Sequence, residues 1–244
     1  MKTNLRIRHL ALVFLVFGST PGNAQDGPSI LKQMDRVMYG PRDMTGTNKL
    51  VLIDKSGKEE SREALIKQKG SDMRIMRFTA PASQAGISVL ALPNDVMYMY
   101  LPAFGKERRI AGSIKNQNFA GTDFSYDDME PIPYSDKYVP TLKGSEGDAY
   151  LLELVPKNRS SYSRILARVH REHFYPLRME YYDQGGTKIK EATYVWKKVG
   201  TYWSSAEIEM TDLKKGHRTK MLMSDVVFDS GLSDDEFTVR KLTQ

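Results

Sequence analysis

The residues whose types could do chemistry gather in one stretch, residues 101–130. Its cations come first, at Lys106, Arg108 and Arg109. Its carboxylates follow, at Asp123, Asp127, Asp128 and Glu130. Paired carboxylates can serve acid–base catalysis or bind calcium, but the spacing of an EF-hand loop with its central glycine is not met. We therefore interpret Asp123, Asp127 and Asp128 as caps of a local turn or a short helix.

Two histidines stand three residues apart, at His170 and His173, where a predicted strand ends. Residues i and i+3 of an extended strand face opposite sides, so we do not expect the pair to bind a metal. The sequence contains no cysteine, no H-E-x-x-H, no G-x-S-x-G and no phosphate-binding loop. It therefore predicts no catalytic residue, no metal site and no cofactor, and it argues against an enzyme.

The first 24 residues have the order of a secretory signal peptide. Basic residues precede the apolar run at residues 10–17, and the small residues Gly22 and Ala24 precede Gln25. Eight apolar residues are too few to cross a bilayer, which takes about 20 in a helix. We predict export to the periplasm, with cleavage near Ala24, and a single domain over residues 25–244.

Charge and cysteine content narrow the function classes. The predicted signal holds three of the 36 Lys and Arg residues and none of the 30 Asp and Glu residues, so its removal lowers the formal net charge from +6 to +3. That excess is too small to indicate a nucleic-acid partner. A chain without cysteine forms no disulfide and cannot carry the lipid of a bacterial lipoprotein. We expect a monomer that is not itself lipidated.

One helix is indicated over residues 29–39. Its apolar residues recur at helical spacing, at Ile30, Leu31, Met34, Val37 and Met38. Ser29 is the candidate N-cap, and Gly40 and Pro41 end the helix. Polar residues between the apolar ones, Asp35 among them, are predicted to form the opposite face.

The rest of the chain has the pattern of strands joined by short turns. We predict eleven or twelve β-strands in an antiparallel meander, and hence a mainly β (α+β) fold. Long helices do not alternate with these strands, which argues against a doubly wound α/β fold.

The predicted strand at residues 95–101 is apolar on both faces. Alternate side chains point to opposite sides: one side carries Val96, Tyr98 and Tyr100, and the other carries Met97, Met99 and Leu101. A strand that is apolar on both faces is covered on both. The second cover could be ordinary core, the N-terminal helix or a ligand, and flexible methionines suit a surface that accepts variable apolar shapes.

Three stretches carry a family resemblance. They are MRIMRFTAPASQAGISVLAL at residues 73–92, MYLPAFGKERRIAGSIKNQNFAGTDFSYDDM at residues 99–129 and LSDDEFTVRKL at residues 232–242. In this order they resemble the outer-membrane lipoprotein-sorting protein family, in its LolA-like branch. The resemblance covers about residues 30–242, and its long central motif, F-x-G-T-D-F-S-Y-D-D, is the most specific part.

This resemblance implies an unclosed antiparallel β-barrel of about eleven strands around an N-terminal helix and short helical segments. It also implies a non-enzymatic periplasmic carrier or sensor, whose apolar concave cavity shields lipid or lipoprotein acyl chains. The implied partners include an inner-membrane transporter or an outer-membrane acceptor. We predict the cavity or its rim at Met34, Val37, Met38, Met97, Met99, Leu101, Phe119, Phe124 and Tyr126.

The basic strand leaves a second hypothesis open. Lys106, Arg108 and Arg109 could simply face solvent, could bind an acidic partner, or could contact acidic lipid head groups at roughly 1 kcal/mol per charge. The alternative function is therefore an envelope protein-interaction module that works with an inner-membrane transporter or a signalling partner.

Overall fold

The structure, a computed structural model, describes residues 25–244. The signal peptide predicted for residues 1–24 lies outside the described residues. Between residues 25 and 244, no helix is both long enough and apolar enough to span a bilayer.

The described chain forms one antiparallel sheet with few helices. The predicted mainly β fold with an unclosed barrel is confirmed, with thirteen strands rather than about eleven. Helix α1 is Gly27–Tyr39 and helix α2 is Tyr134–Lys137. In chain order the strands are β1 (Asp43–Ile53), β2 (Glu59–Lys69), β3 (Met73–Ala80), β4 (Ser88–Leu92), β5 (Val96–Leu101), β6 (Lys106–Arg109), β7 (Tyr138–Glu146), β8 (Ala149–Pro156), β9 (Arg164–His170), β10 (Pro176–Tyr182), β11 (Lys188–Val199), β12 (Tyr202–Asp212) and β13 (His217–Phe228).

Two meanders make up the sheet. Strands β1 to β6 pair in sequence, strands β7 to β13 do the same, and β1 joins β13. The outer strands of the sheet are therefore β6 and β7, so the barrel stays open between them. The chain passes from β6 to β7 through residues 110–137, which we call the plug. Its apolar side chains belong to the same buried cluster as those on the concave face of the sheet.

Strand β7 is the strand that the sequence did not predict. It contains Pro140, and residues 143–146 are all exposed. Proline cannot donate a ladder hydrogen bond and is tolerated at a sheet edge. An edge strand with a proline and little burial lacks the alternation that reveals a strand in sequence.

Helix α1 begins before the predicted position. The N-cap is Asp26 rather than Ser29, because the Asp26 carboxylate accepts a 2.8 Å hydrogen bond from the Ser29 backbone N–H. Pro28 fits the first turn, where its missing N–H costs nothing. The apolar stripe is buried as predicted, with Ile30 and Met34 fully inaccessible to solvent.

Strand β5 is covered on both faces, as its composition predicts, but the outer cover is neither the N-terminal helix nor a ligand. The C-terminal tail, residues 230–244, lies over the outer face of β3 to β5. Its Phe237 and Leu242 pack in one cluster with Ile75 and Leu90. On the inner face, Met97 belongs to the larger cluster that includes the plug.

Candidate functional site

The plug fills much of the barrel interior with aromatic side chains. The ring of Phe119 stacks on Phe78 of β3 at a centroid distance of 6.0 Å, and Tyr126 meets Phe119 edge-on at 5.6 Å. All three side chains are buried. Such pairs add about 0.5–1.5 kcal/mol each to the free energy gained by burial. The plug is therefore packed as core and not as a loose loop.

Buried polar contacts attach the plug to the strands β11 and β13. The Thr219 hydroxyl donates to the Asp123 carboxylate at 2.8 Å and accepts from the Asp123 backbone N–H at 3.0 Å. The Lys190 ammonium donates to the Asp123 carbonyl at 2.7 Å. Asp123 and Thr219 are buried, and burial raises the pKa of the Asp123 carboxyl. Removing one partner of such a contact leaves the other desolvated and unpaired.

Helix α1 and strand β3 hold the other end of the plug. The Asp35 carboxylate accepts the backbone N–H groups of Tyr134 and Ser135, each at 2.8 Å, and so caps α2. This is why Asp35 is buried although its position in the helix predicts a polar face. From β3, the Arg74 guanidinium donates to the Met129 carbonyl at 3.0 Å and to the Gln68 amide oxygen.

A charged cluster closes the plug against the β4–β5 turn. The Lys115 ammonium donates to Asp95 and to Glu130, and Lys137 lies 3.5 Å from Glu130 and 2.6 Å from Asp127. Burial raises the pKa of the Glu130 carboxyl to about 7, opposed by the two nearby lysines. The Glu130 side chain is 3% exposed, so its charge state affects the stability of the folded plug.

The carboxylates that sequence analysis assigned to turn capping are used in this way at one position. Asp128 accepts from the Ser125 backbone N–H at 2.8 Å, and the Ser125 hydroxyl accepts from the Asp128 N–H at 3.1 Å. The Tyr162 hydroxyl also donates to Asp128, at 3.0 Å. The aromatic–acidic motif thus folds on itself and binds the β8–β9 side of the barrel.

A central cavity of about 190 Å³ remains between the plug, helix α1 and the concave face of the sheet. Its apolar wall comes mainly from the last strands, with Trp196, Trp203, Ile208, Met210, Met221 and Met223. Its polar lining includes Asn48, Gln68 and Arg74 on strands β1 to β3. The cavity is therefore amphipathic, with an apolar wall beside its polar groups.

A second and larger cavity, the edge cleft, lies at the open side of the barrel. It has a volume of about 1110 Å³ and runs between the plug and the β8–β9 connection, where Arg159 and Ser160 line it. Five plug and β7 residues line both cavities: Asp127, Glu130, Ile132, Lys137 and Tyr138. These five residues lie between the central cavity and the cleft.

The structure places the predicted site residues in three different settings. Met38 and Phe124 line the central cavity. Buried in the surrounding core are Met34, Met97, Phe119 and Tyr126, while Val37, Met99 and Leu101 are partly buried. The basic residues Lys106, Arg108 and Arg109 are exposed on β6, at the open edge. Their proposed contacts with lipid or partner stay predictions.

The expectation that His170 and His173 face opposite sides is wrong. The chain turns after β9, and the His170 ring nitrogen accepts the backbone N–H groups of Glu172 and His173. The two imidazoles stack at 4.8 Å, and His173 lies 4.9 Å from Trp203, which lines the central cavity. Strand geometry does not apply beyond the last strand residue, so the pair joins an aromatic cluster beside the cavity.

Sequence reasoning missed most of the cavity wall. Met221 and Met223 on β13 and the two tryptophans carry no motif. A signal was present in the clustering of Met221, Leu222 and Met223 near the end of the chain, since methionine suits adaptable apolar surfaces. The pairing of β13 with β1, which brings these residues beside Asn48, depends on long-range topology.

Comparison with known proteins finds a matching family model and solved structures with the same fold. A family model described as "Uncharacterized protein" matches residues 70–244. A domain named for outer membrane lipoprotein sorting, from Vibrio parahaemolyticus, superposes with a TM-score of 0.82 at 24% identity, covering 89% of this chain and 98% of that one. The chain belongs to the family that this model describes, and it has the fold of the lipoprotein-sorting domain.

Two further solved structures are similar over almost their whole length. A DUF1329 family protein from Desulfovibrio piger has a TM-score of 0.83 at 27% identity, with 88% of this chain and 97% of that one covered. A LolA superfamily protein from Nitrosomonas europaea has a TM-score of 0.77 at 23% identity, with 89% and 100% covered. No curated protein matches the sequence. The resemblance predicted from residues 73–92, 99–129 and 232–242 is confirmed.

Proposed function

We propose that this LolA-like protein is a non-enzymatic periplasmic carrier or sensor of lipidic ligands, bound in the barrel interior. The observation that carries the proposal is the amphipathic central cavity, whose methionine and tryptophan wall lies directly behind the plug. Transfer of an acyl chain from water to such a wall gains about 0.8 kcal/mol per CH₂. Lipoprotein acyl chains are the cargo that the family fold favours, after export and cleavage near Ala24.

The plug must move for a long acyl chain to bind. A cavity of about 190 Å³ is smaller than the roughly 300–1,000 Å³ of sites that enclose drug-sized ligands. Phe119, Phe124 and Tyr126 occupy the space that a longer chain needs. In this mechanism the plug side chains cover the apolar wall when no cargo is bound, and a bound chain replaces them.

The edge cleft supplies the access route. It lies between the plug and the β8–β9 connection, and residues that line both spaces, Asp127 and Glu130 among them, lie between it and the central cavity. Movement of this segment would join the two spaces without breaking a strand pair. Polar ties that can exchange with water hold it, namely Lys115 to Glu130 and Lys137 to Asp127.

Binding of a fluorescent fatty acid tests the proposal. Met223→Glu places a carboxylate on the cavity wall and should abolish most of the binding. Val227→Glu is the matched control, because Val227 lies on the same strand and is 52% exposed. Absence of binding to the wild-type protein, together with protein purified from the periplasm carrying no lipid in native mass spectrometry, would refute the carrier function.

The free edge supports a second candidate, an interaction module for an envelope partner such as an inner-membrane transporter. Strand β6 leaves one side of its backbone unpaired, and all four of its residues are exposed. Exposed edge strands are templates for strand addition. Within residues 25–244, Lys106, Arg108 and Arg109 form no ion pair, which favours an acidic partner.

A double reversal of charge separates the two functions. Arg108→Glu with Arg109→Glu should abolish capture of the partner in a pull-down while leaving fatty-acid binding unchanged. If that variant still captures the same partner, the basic edge is not the interaction surface. If it loses fatty-acid binding instead, the edge belongs to the lipid site.

A further inference from the structure

The turns between neighbouring strands differ in charge at the two ends of the barrel. Successive turns of an antiparallel meander alternate between its ends, so six connections lie at one end: β1–β2, β3–β4, β5–β6, β8–β9, β10–β11 and β12–β13. They carry six cations and two carboxylates, namely Lys55, Lys58, Lys157, Arg159, Lys214 and Lys215 with Asp54 and Asp183. The five connections at the other end carry one cation and four carboxylates, namely Arg171 with Asp72, Asp95, Asp148 and Glu172. The first end, which we call the basic end, therefore has a formal charge of +4, and the other end has −3.

The cations of the basic end share one continuous surface. The Gln184 amide of the β10–β11 turn donates to the Ser160 carbonyl of the β8–β9 connection at 3.2 Å. The Lys214 ammonium of the β12–β13 turn lies 2.9 Å from the Asp183 carboxylate, and the glycine of the same turn lies beside Lys55 of the β1–β2 turn. The four connections that hold all six cations are therefore neighbours, and all six side chains are exposed.

Half of these charges are not balanced by a local carboxylate. Among residues 25–244, Lys58, Lys214 and Lys215 have ion-pair partners, whereas Lys55, Lys157 and Arg159 have none. Exposed ion pairs are weak and exchange with other anions at little cost. The basic end therefore attracts an extended anionic surface more strongly than the net charge of the whole chain indicates.

Two apolar side chains project from the same end. Seven large apolar side chains between residues 25 and 244 are exposed, and five of them lie on strands. The two in turns, Phe104 at 60% exposure and Leu213 at 45%, are both at the basic end. Four strands, β1 to β4, separate their hairpins, so they do not form the continuous apolar centre that a protein interface has. Single apolar side chains beside cations instead suit the interface of a bilayer.

We propose that the basic end docks on a bilayer that contains anionic phospholipid, with its cations at the phosphate groups and with Leu213 and Phe104 inserted between the head groups. Clusters of four to eight Lys and Arg residues are typical of surfaces that bind anionic lipid, and an apolar insertion supplies the second signal that stable attachment takes. The inference rests on the proposed function for its purpose, but docking itself needs no cargo in the cavity.

Docking at this end would bring the edge cleft to the bilayer. Arg159 and Ser160 of the β8–β9 connection and Gln184 of the β10–β11 turn belong to the basic end, and all three also line the edge cleft. A lipid that leaves the bilayer therefore meets the proposed access route without crossing open water. The opposite end, with its excess of carboxylates, would face away from the membrane.

Sedimentation with lipid vesicles tests the docking surface. The wild-type protein should bind vesicles of phosphatidylcholine and phosphatidylglycerol, mixed about two to one, roughly tenfold or more tightly than vesicles of phosphatidylcholine alone. About 1 M salt, where the Debye length is about 3 Å, should remove most of this difference. Equal binding to both vesicles, or binding to neither, would overturn the inference whether or not any variant folds.

Reversal of charge locates the surface. Lys55→Glu with Arg159→Glu should weaken binding to the mixed vesicles by about twentyfold or more, since each basic residue near an anionic membrane is worth about fivefold. Arg171→Glu with Lys197→Glu is the matched control, because it makes the same change of charge near the other end; its binding should stay within about twofold of wild type. Equal losses in the two variants would overturn the assignment to the basic end.

Replacement of the two exposed apolar residues tests their insertion. Phe104→Ser with Leu213→Ser should weaken vesicle binding several-fold, whereas Val195→Ser with Val227→Ser, at equally exposed strand positions, should not. Equal binding by the two variants would overturn the insertion. Fatty-acid binding without vesicle binding would defeat only this inference, and vesicle binding without fatty-acid binding would defeat only the proposed function. Capture of an acidic protein by a basic end that binds no vesicle would replace the bilayer with a protein partner.

Discussion

Strands β3 to β5 have two covers, and the covers are built differently. The plug lies on the inner face and the C-terminal tail lies on the outer face. Both exclude water from apolar side chains of the same strands. The tail does so mainly with Phe237 and Leu242, and its ion pairs lie at the rim, as between Lys69 and Asp234. The tail also makes buried hydrogen bonds, since the Asp43 carboxylate accepts the backbone N–H groups of residues 230–232. The plug adds a buried ion pair, Lys115 with Glu130.

This difference separates a permanent wall from a removable cover. The ion pairs of the tail are exposed, and such pairs contribute only about 0–1 kcal/mol each. The plug depends on buried partners such as Asp123 with Thr219 and Lys115 with Glu130. Water or a competing ligand can replace each of these contacts. The inner cover therefore has the properties of the moving part.

The largest effect is expected in the outer cover. Phe237→Ala removes a ring that is 3% exposed and should lower the free energy of unfolding by about 3–5 kcal/mol. Urea unfolding measures this loss, with Val227→Ala, at an exposed site, as the control. Fatty-acid binding by the folded variant should not change. Loss of binding in the folded variant would show that the tail also contributes to the site.

The pH dependence of the plug is the next largest effect. The pKa of Glu130 is about 7 in the folded protein against an ordinary value of 4.5, so the folded state binds this proton more tightly. Its contribution to stability is complete below about pH 4.5 and is lost as the pH rises to about 7. Compared with Glu130→Gln, wild type should lose roughly 2 kcal/mol of unfolding free energy across this range.

Urea unfolding at several pH values across this window measures that loss. The exposed Glu63→Gln change on β2 is the matched control and should follow the wild-type curve. Parallel curves for wild type and Glu130→Gln would mean that Glu130 titrates normally and that its burial does not control the plug.

A smaller effect is expected from the hydrogen bond between the Thr219 hydroxyl and the plug. Thr219→Val keeps the shape of the side chain but removes the hydroxyl that bonds Asp123, and it should cost about 1–3 kcal/mol. Thr193→Val, at an exposed position on β11, is the control and should change stability little. Hydrogen exchange should also quicken selectively at plug amides. Uniformly faster exchange over the whole sheet would contradict a separate moving part.

The smallest effect on stability is expected at the hairpin beside the free edge. Phe104 is 60% exposed, with the Arg108 guanidinium 5.2 Å from its ring centroid. Phe104→Ser should change the free energy of unfolding by less than about 0.5 kcal/mol. Thermal melting measures this. A clear loss of stability would mean that the hairpin packs against a part of the barrel and is not a free surface.

The regular elements were predictable because their patterns are local. Helix α1 and twelve of the strands follow from spacing and turn residues, and the two-faced pattern of β5 correctly required two covers. Strand β7 was not predicted, because Pro140 and its exposed position at the sheet edge remove the alternation of apolar and polar residues. The motif at residues 119–128 carried the resemblance that predicted the fold, but its place in the interior does not follow from its composition.

The rest of the site depends on contacts between distant residues. Asp35 has the helical position of a solvent-facing residue, and only the arrival of α2, 99 residues later, explains its burial. Arg74 and Asn48 resemble ordinary polar positions on strands. They line the site because β1 pairs with β13, which places them on one cavity with Met221 and Met223.

The central claim is that the plug moves aside for a long acyl chain, and a reversible lock tests it most directly. The chain has no cysteine, so Asp123→Cys with Thr219→Cys creates a single pair that joins the plug to β13. We predict that the reduced double variant binds palmitate and that the oxidised one does not. Equal palmitate binding by the oxidised and reduced forms would contradict the account.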